Sequence, residues 1–226
     1  MATLEVPLFP LGVVLFPGTP QLLHIFEPRY RQMLADCLEG DRRFGLSFVK
    51  PGTGNDPEPR PGDVGCLASV RESRLLPDGR SNILAVGEER YVLREYHRSD
   101  VPYRIAAVDT FDDDDLAAPQ IDELAAQARA QFARFVSGMR TLSDGPAQAL
   151  QLDGTPQATS FLIAATLELE VEVKQELLVL RSTHERLQRL LRLLRSLNEE
   201  LGKRVSVHTR ARGNGKGGPT RDVVTG

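Results

Sequence analysis

No run of roughly eighteen apolar residues occurs in this chain of 226 residues, so nothing in it reads as a membrane-spanning helix. The most apolar region, residues 4–26, is interrupted by Pro7, Pro10, Gly12, Pro17, Gly18 and Pro20. A secretory leader is not expected, because the first Lys or Arg is Arg29 and no cationic stretch precedes the apolar residues. The expected compartment is the cytoplasm. Cysteine is scarce as well. Cys37 and Cys66 have no CxxC partner, which argues against a disulfide framework, a thiolate metal site or a redox pair and leaves two small buried hydrophobes.

Catalytic patterns are equally thin. A phosphate-binding loop needs Gly-Lys followed by Ser or Thr, yet Gly202-Lys203 precedes Arg204 and Gly215-Lys216 precedes Gly217. His184-Glu185 opens a zinc-protease-like pattern, but Gln188 stands where the second imidazole is required. Ser47 and Lys50 match a bare SxxK spacing, and on a strand they would face opposite sides. His24, His97, His184 and His208 are dispersed, and none adjoins a Cys or Ser triad by motif. No catalytic residue, metal or cofactor is therefore expected.

What is present is ordinary globular material, 41% apolar and 26% charged, with an uneven charge distribution. Residues 1–202 carry a net charge of −8 and residues 203–226 a net charge of +5. The basic, glycine-rich tail at 203–226 is expected to be disordered, either simply solvated or weakly attractive to nucleic acid.

Residues 1–111 read as a β-rich domain, because short β-branched and aromatic runs alternate with Pro and Gly. Strands are expected at 6–9, 13–16, 21–25, 44–49, 65–72, 81–86, 91–96 and 103–111. Leu76-Pro77-Asp78-Gly79-Arg80 is the sharpest hairpin signal. One helix interrupts the strands: Pro28 suits its first position, and Tyr30, Met33, Leu34, Cys37 and Leu38 form an apolar stripe.

An acidic stretch between Asp109 and Glu123 marks the change of pattern. The run Asp112 to Asp115 reads as a solvated linker, with divalent-cation binding as the alternative. Residues 112–202 read as a helical domain. Ile121, Ala125, Ala128, Phe132, Phe135 and Met139 line one helix face, Thr155-Pro156 starts a second helix, and Ser182 with Glu185 fits a capping box. Leu187, Leu190, Leu194, Leu197 and Leu201 form a seam of two heptads, which favours packing inside a bundle over dimerisation. Arg186, Arg189, Arg192 and Arg195 read as that helix's solvated face.

Three blocks at the front carry a resemblance: Pro7-Leu8-Phe9-Pro10-Leu11, Val14-Leu15-Phe16-Pro17-Gly18, and Leu23-His24-Ile25-Phe26-Glu27-Pro28-Arg29-Tyr30-Arg31. Together with Asp78-Gly79-Arg80, Gly87, Arg90-Tyr91, Pro102-Tyr103 and Lys174-Gln175-Glu176-Leu177-Leu178, they resemble the Lon protease N-terminal domain family over about residues 4–201. The resemblance implies an α+β fold, a PUA-like β pseudobarrel with one inserted helix followed by a C-terminal helical bundle. It also implies recognition of unfolded or damaged polypeptides, with possible self-association. The ATPase and Ser-Lys protease domains of full-length Lon have no counterpart in these residues, so a non-catalytic binding module is expected, acting alone or beside a separate protease. RNA binding, which the resemblance suggests because related barrels occur on RNA-modifying proteins, is the alternative. An apolar patch beside open strand edges could hold extended peptide. Phe16, Pro17, Phe26, Arg29 and Tyr30 are the candidate surface, although Phe9, Phe16 and Phe26 also suit core positions and Glu27 and Pro28 suit a helix start.

Overall fold

A computed structural model describes residues 3–50, 58–114, 120–143, 152 and 154–214. Strands β1 (Thr3–Leu11), β2 (Pro20–Ile25), β3 (Arg43–Phe48), β4 (Val64–Leu75), β5 (Ser81–His97) and β6 (Arg104–Phe111) enclose helix α1 (Pro28–Glu39) in the chain order. Helices α2 (Ile121–Ser143), α3 (Pro156–Thr166), α4 (Val171–Val179) and α5 (Thr183–Asn214) follow. The architecture is α+β with a C-terminal helical part, as the residue pattern implies.

The sheet runs in the order β2-β5-β4-β3-β1-β6, and β5 also pairs with β6. Five strands therefore close into a ring. β2 stands outside it, attached to β5 alone among the described strands. The ring needs a long β5, whose first half pairs with β2 and whose second half pairs with β6. The strands expected at 81–86 and 91–96 are thus a single element. Glycine is required at position 87, inside that element, because a side chain there would stand 2.2 Å from the Phe16 carbonyl oxygen. The strand expected at 13–16 does not form. Leu15 and Phe16 are both buried, so the pleat's in-and-out alternation is broken: Leu15 enters the core under α1, whereas Phe16 enters the core of the helical part.

α1 begins as its residues dictate, with Pro28 in the first turn and Glu27 extended before it. Tyr30, Met33, Leu34 and Cys37 then pack against Phe9, Ile25 and Phe44. In the helical part, the Thr155 hydroxyl accepts from the Ala158 amide at 3.2 Å, and the Ser182 hydroxyl accepts from the Glu185 amide at 2.9 Å. Ile121, Ala125, Ala128 and Phe132 of α2 meet Leu187, Leu190, Leu191 and Leu194 of α5. These two helices run in the same direction, since the Asn198 amide donates to the Gln131 carbonyl and Leu201 lies over Gly138.

α5 does not stop near residue 202. It continues to Asn214, so the expected disorder is corrected for residues 203–214, while 215–226 lie outside the described residues. Leu201 is still buried there, and Arg204 pairs with Glu200 one turn back at 2.9 Å.

Candidate functional site

β2 belongs to a stretch, residues 6–26, that contains no Asp, Glu, Lys or Arg. On a strand the side chains alternate, so Leu22 and His24 share one face, and Phe26, the residue just after β2, continues it. That face points to solvent: Leu22 is 76% exposed and Phe26 58%. His24 stacks on Phe26 with ring centroids 6.0 Å apart, and its Nδ1 lies 2.7 Å from Asn82 Oδ1 on the neighbouring strand. Leu84 and Val86 of β5, half-buried, extend the apolar face inward beside Leu22 and Pro20. The opposite face of β2 anchors it, with Leu23 and Ile25 packed into the core under α1. The outcome is an exposed apolar stripe on the one strand that the ring leaves outside.

The five candidate residues do not form one site. Phe16, expected at the surface, is fully buried with its ring 6.1 Å from that of Phe161, because its segment passes between two cores instead of turning outward. Pro17 lines a cleft between the β and helical parts. Phe26 lies on the outer stripe of β2. Arg29 and Tyr30 line a different groove of about 270 Å³ with Pro10, Tyr103 and Arg104. There Tyr30 is buried, its ring 4.5 Å from that of Phe9, and Arg29 sits over it while pairing with Glu27 at 3.1 Å. Leu22, which the residue pattern did not single out, is the most exposed large apolar side chain of the described residues. The available signal was its place in a strand whose alternation puts Leu22 and His24 opposite Leu23 and Ile25.

The cleft beside Pro17 has a volume of about 490 Å³, and its floor is a buried ion cluster that sequence reasoning missed. Asp113, read above as part of a solvated linker, has a side chain with no exposure, and so does Arg186, read above as part of a solvated face. Asp113 Oδ1 accepts from Arg90 Nη2 at 2.5 Å and from Arg186 Nη1 at 3.3 Å, and Oδ2 accepts from Arg186 Nη2 and Thr183 Oγ1. Further guanidinium N–H groups donate to the Leu178 and Leu180 carbonyls and to Ser160 Oγ. Rings fill the gaps: Arg181 and Arg90 lie 4.3 and 4.5 Å from the Phe111 centroid, and Arg186 lies 4.1 Å from that of Phe161. Burial alone would raise the Asp113 carboxyl, but the hydrogen bonds and charges of Arg186, Thr183 and Arg90 outweigh it and hold the group below the ordinary carboxylate value. With its donors and acceptors engaged in this way, the cluster is a clamp joining β5, the segment after β6, α3 and α5. Neighbouring Asp112 accepts from Gln157 Nε2 at 2.6 Å. Among the described residues no group of three or more His, Cys, Asp or Glu is placed to hold a metal ion, and no helix is long and apolar enough to cross a membrane.

A ring of strands clamped to a helical part, with an uncharged apolar strand left outside the ring, defines a two-part domain whose distinctive feature is a surface. The chain belongs to the ATP-dependent protease La (LON) substrate-binding domain family, whose sequence signature matches residues 5–196. It is 25% identical over 210 residues to a Lon protease of Syntrophomonas wolfei and 28% identical over 214 residues to Lon protease 1 of Thermus thermophilus. Those alignments take in 91% and 92% of this chain but only 26% and 27% of the relatives, so the chain spans about a quarter of their length. Among solved structures, it is similar in fold to a Lon N-terminal domain protein from Xanthomonas campestris, with TM-score 0.60 and 24% identity over 83% of this chain and 97% of that one. It is similar also to the N-terminal domain of a Mycobacterium avium complex Lon protease, with TM-score 0.66 and 15% identity over 86% and 98%.

Proposed function

We propose that the chain binds unfolded or damaged polypeptides without altering them chemically, and that exposed apolar segments settle on the outer face of β2. The observation that carries this reading is the solvent exposure of Leu22 and Phe26 on a face with no charged side chain from β2 itself. Fully covering such side chains gains about 1.5–3 kcal/mol each, and no charge on the strand has to be desolvated. Family membership supports a substrate-binding role, and the chain's share in proteolysis is then recognition, as an adaptor for a separate protease in the cytoplasm. The groove beside Arg29 and Tyr30 and the cleft beside Pro17 supply secondary contacts. RNA binding would require cationic side chains on the same platform, and residues 6–26 have none.

The test is fluorescence anisotropy with a labelled, reduced and carboxymethylated protein that cannot refold. The native chain should retain it, whereas Leu22→Asp and Phe26→Asp should each weaken binding by about tenfold or more, since 1.4 kcal/mol is a factor of ten. Thermal unfolding of both variants should match the native protein, because the two side chains stand mostly in water. Unchanged affinity in both would overturn the assignment to β2.

A further inference from the structure

The pattern of backbone hydrogen bonds in β5 carries the reading of β2 one step further. In an antiparallel ladder each residue directs its N–H and C=O to one side, and successive residues alternate sides. Two bonds flanking the half of β5 that pairs with β2 set this alternation independently. At one end the Leu76 amide donates to the Arg80 carbonyl at 2.7 Å, so Arg80 faces β4. At the other the Gly87 amide donates to the Thr19 carbonyl at 3.0 Å, so Gly87 faces β2. Both give the same result: Ser81, Ile83 and Ala85 bond towards β2, and their partners are Ile25, Leu23 and Gln21. The groups of Leu22 and His24 must then point away from β5, at the open edge. The Gln21 side-chain amide, which donates to the Leu22 carbonyl at 3.1 Å, agrees with that direction.

The residues with outward backbone groups are thus the residues with exposed outer side chains. Edge strands are normally protected by lysine, inward charge or a bulge. The run from Gln21 to Phe26 has no charged residue, and Pro20 removes a donor only at its start. An uncharged edge of this kind complements an equally uncharged polypeptide backbone; a phosphate backbone or a lipid headgroup would find no countercharge on it. Resting on the proposed polypeptide binding, we propose that the occupant is an extended apolar segment of a non-native polypeptide, added as an antiparallel strand to β2. Two of its residues, two apart, exchange N–H and C=O bonds with Leu22 and His24. The side chains of those same two residues lie on the outer face beside Leu22 and Phe26. The recognised segment therefore carries apolar residues at alternate positions, and each of them must keep its amide hydrogen, so proline is excluded there.

The probe is a fluorescently labelled peptide of alternating leucine and threonine, made in three forms: unmodified, N-methylated at every leucine, and N-methylated at every threonine. The full chain should bind the unmodified and threonine-methylated forms comparably, and the leucine-methylated form about tenfold or more weakly, from the loss of two backbone hydrogen bonds. Loss in the threonine-methylated form instead, or in neither, overturns strand addition. If Leu22→Asp still abolishes binding when neither methylated form loses affinity, the apolar reading of β2 stands without the ladder. If Leu22→Asp also has no effect, both fail. Leu22→Pro measured against Leu22→Ala provides a check within the protein: both lose the leucine side chain and neither loses a bond to β5, but only the proline also lacks the outward donor, so both should melt near the native value while the proline variant binds the unmodified peptide more weakly than the alanine variant; equal affinities would contradict strand addition.

Discussion

Asp113 shows what a single residue can hide. It is one of four consecutive aspartates, and by local composition such a run belongs in water. Its partners lie 23 and 73 residues away, at Arg90 and Arg186, so no local window could have shown that it is buried. Replacing it by asparagine keeps the shape but strands two buried guanidinium groups, and removing one member of a buried pair costs about 3–5 kcal/mol. Chemical denaturation of Asp113→Asn at pH 7 should show a loss of this order. The folded carboxyl lies below its ordinary value, so its contribution is complete above about pH 4, the unfolded value, and is lost as pH falls through the lower folded one. The variant should lack this part of the acid transition, which stability measured from pH 2 to 7 would reveal.

At the scale of elements, legibility followed the periodicity. α1, α2 and α3 and most strands could be read from alternation, stripes and caps, because those signals are local. The segment at 13–16 could not, since its apolar residues serve two different cores and only the folded chain shows which. β5 posed the same difficulty: Gly87 reads as punctuation between two strands, yet it is the point at which Phe16 crosses over a continuous one. Gly87→Ala should force the Phe16 carbonyl away and cost about 1–3 kcal/mol, the usual range for overpacking. A fall of several degrees in melting temperature would check this. The end of α5 was misread for a related reason. Glycine and positive charge beyond Gly202 argue for a tail, but a buried Leu201 and the Glu200–Arg204 pair carry the helix onward.

At the scale of the molecule, the closed ring and the clamp leave the outer strand as the place to which the proposed binding is assigned. Five strands satisfy one another around the barrel, Asp113 ties that barrel to the helices, and among the described residues β2 is paired with a strand on one side only. The five candidate residues come from one short stretch at the front of the chain, and the fold disperses them to a core, a cleft, a groove and an edge, because each position's burial is set by partners distant in sequence. The central claim is that non-native polypeptide is held on the open edge of β2. Amide hydrogen exchange, resolved residue by residue with and without a reduced, carboxymethylated protein, tests it most directly. Binding should slow exchange at Leu22 and His24, while Gln21, Leu23 and Ile25, already bonded to β5, change little. Binding that leaves the Leu22 and His24 amides exchanging as in the free protein would contradict the claim.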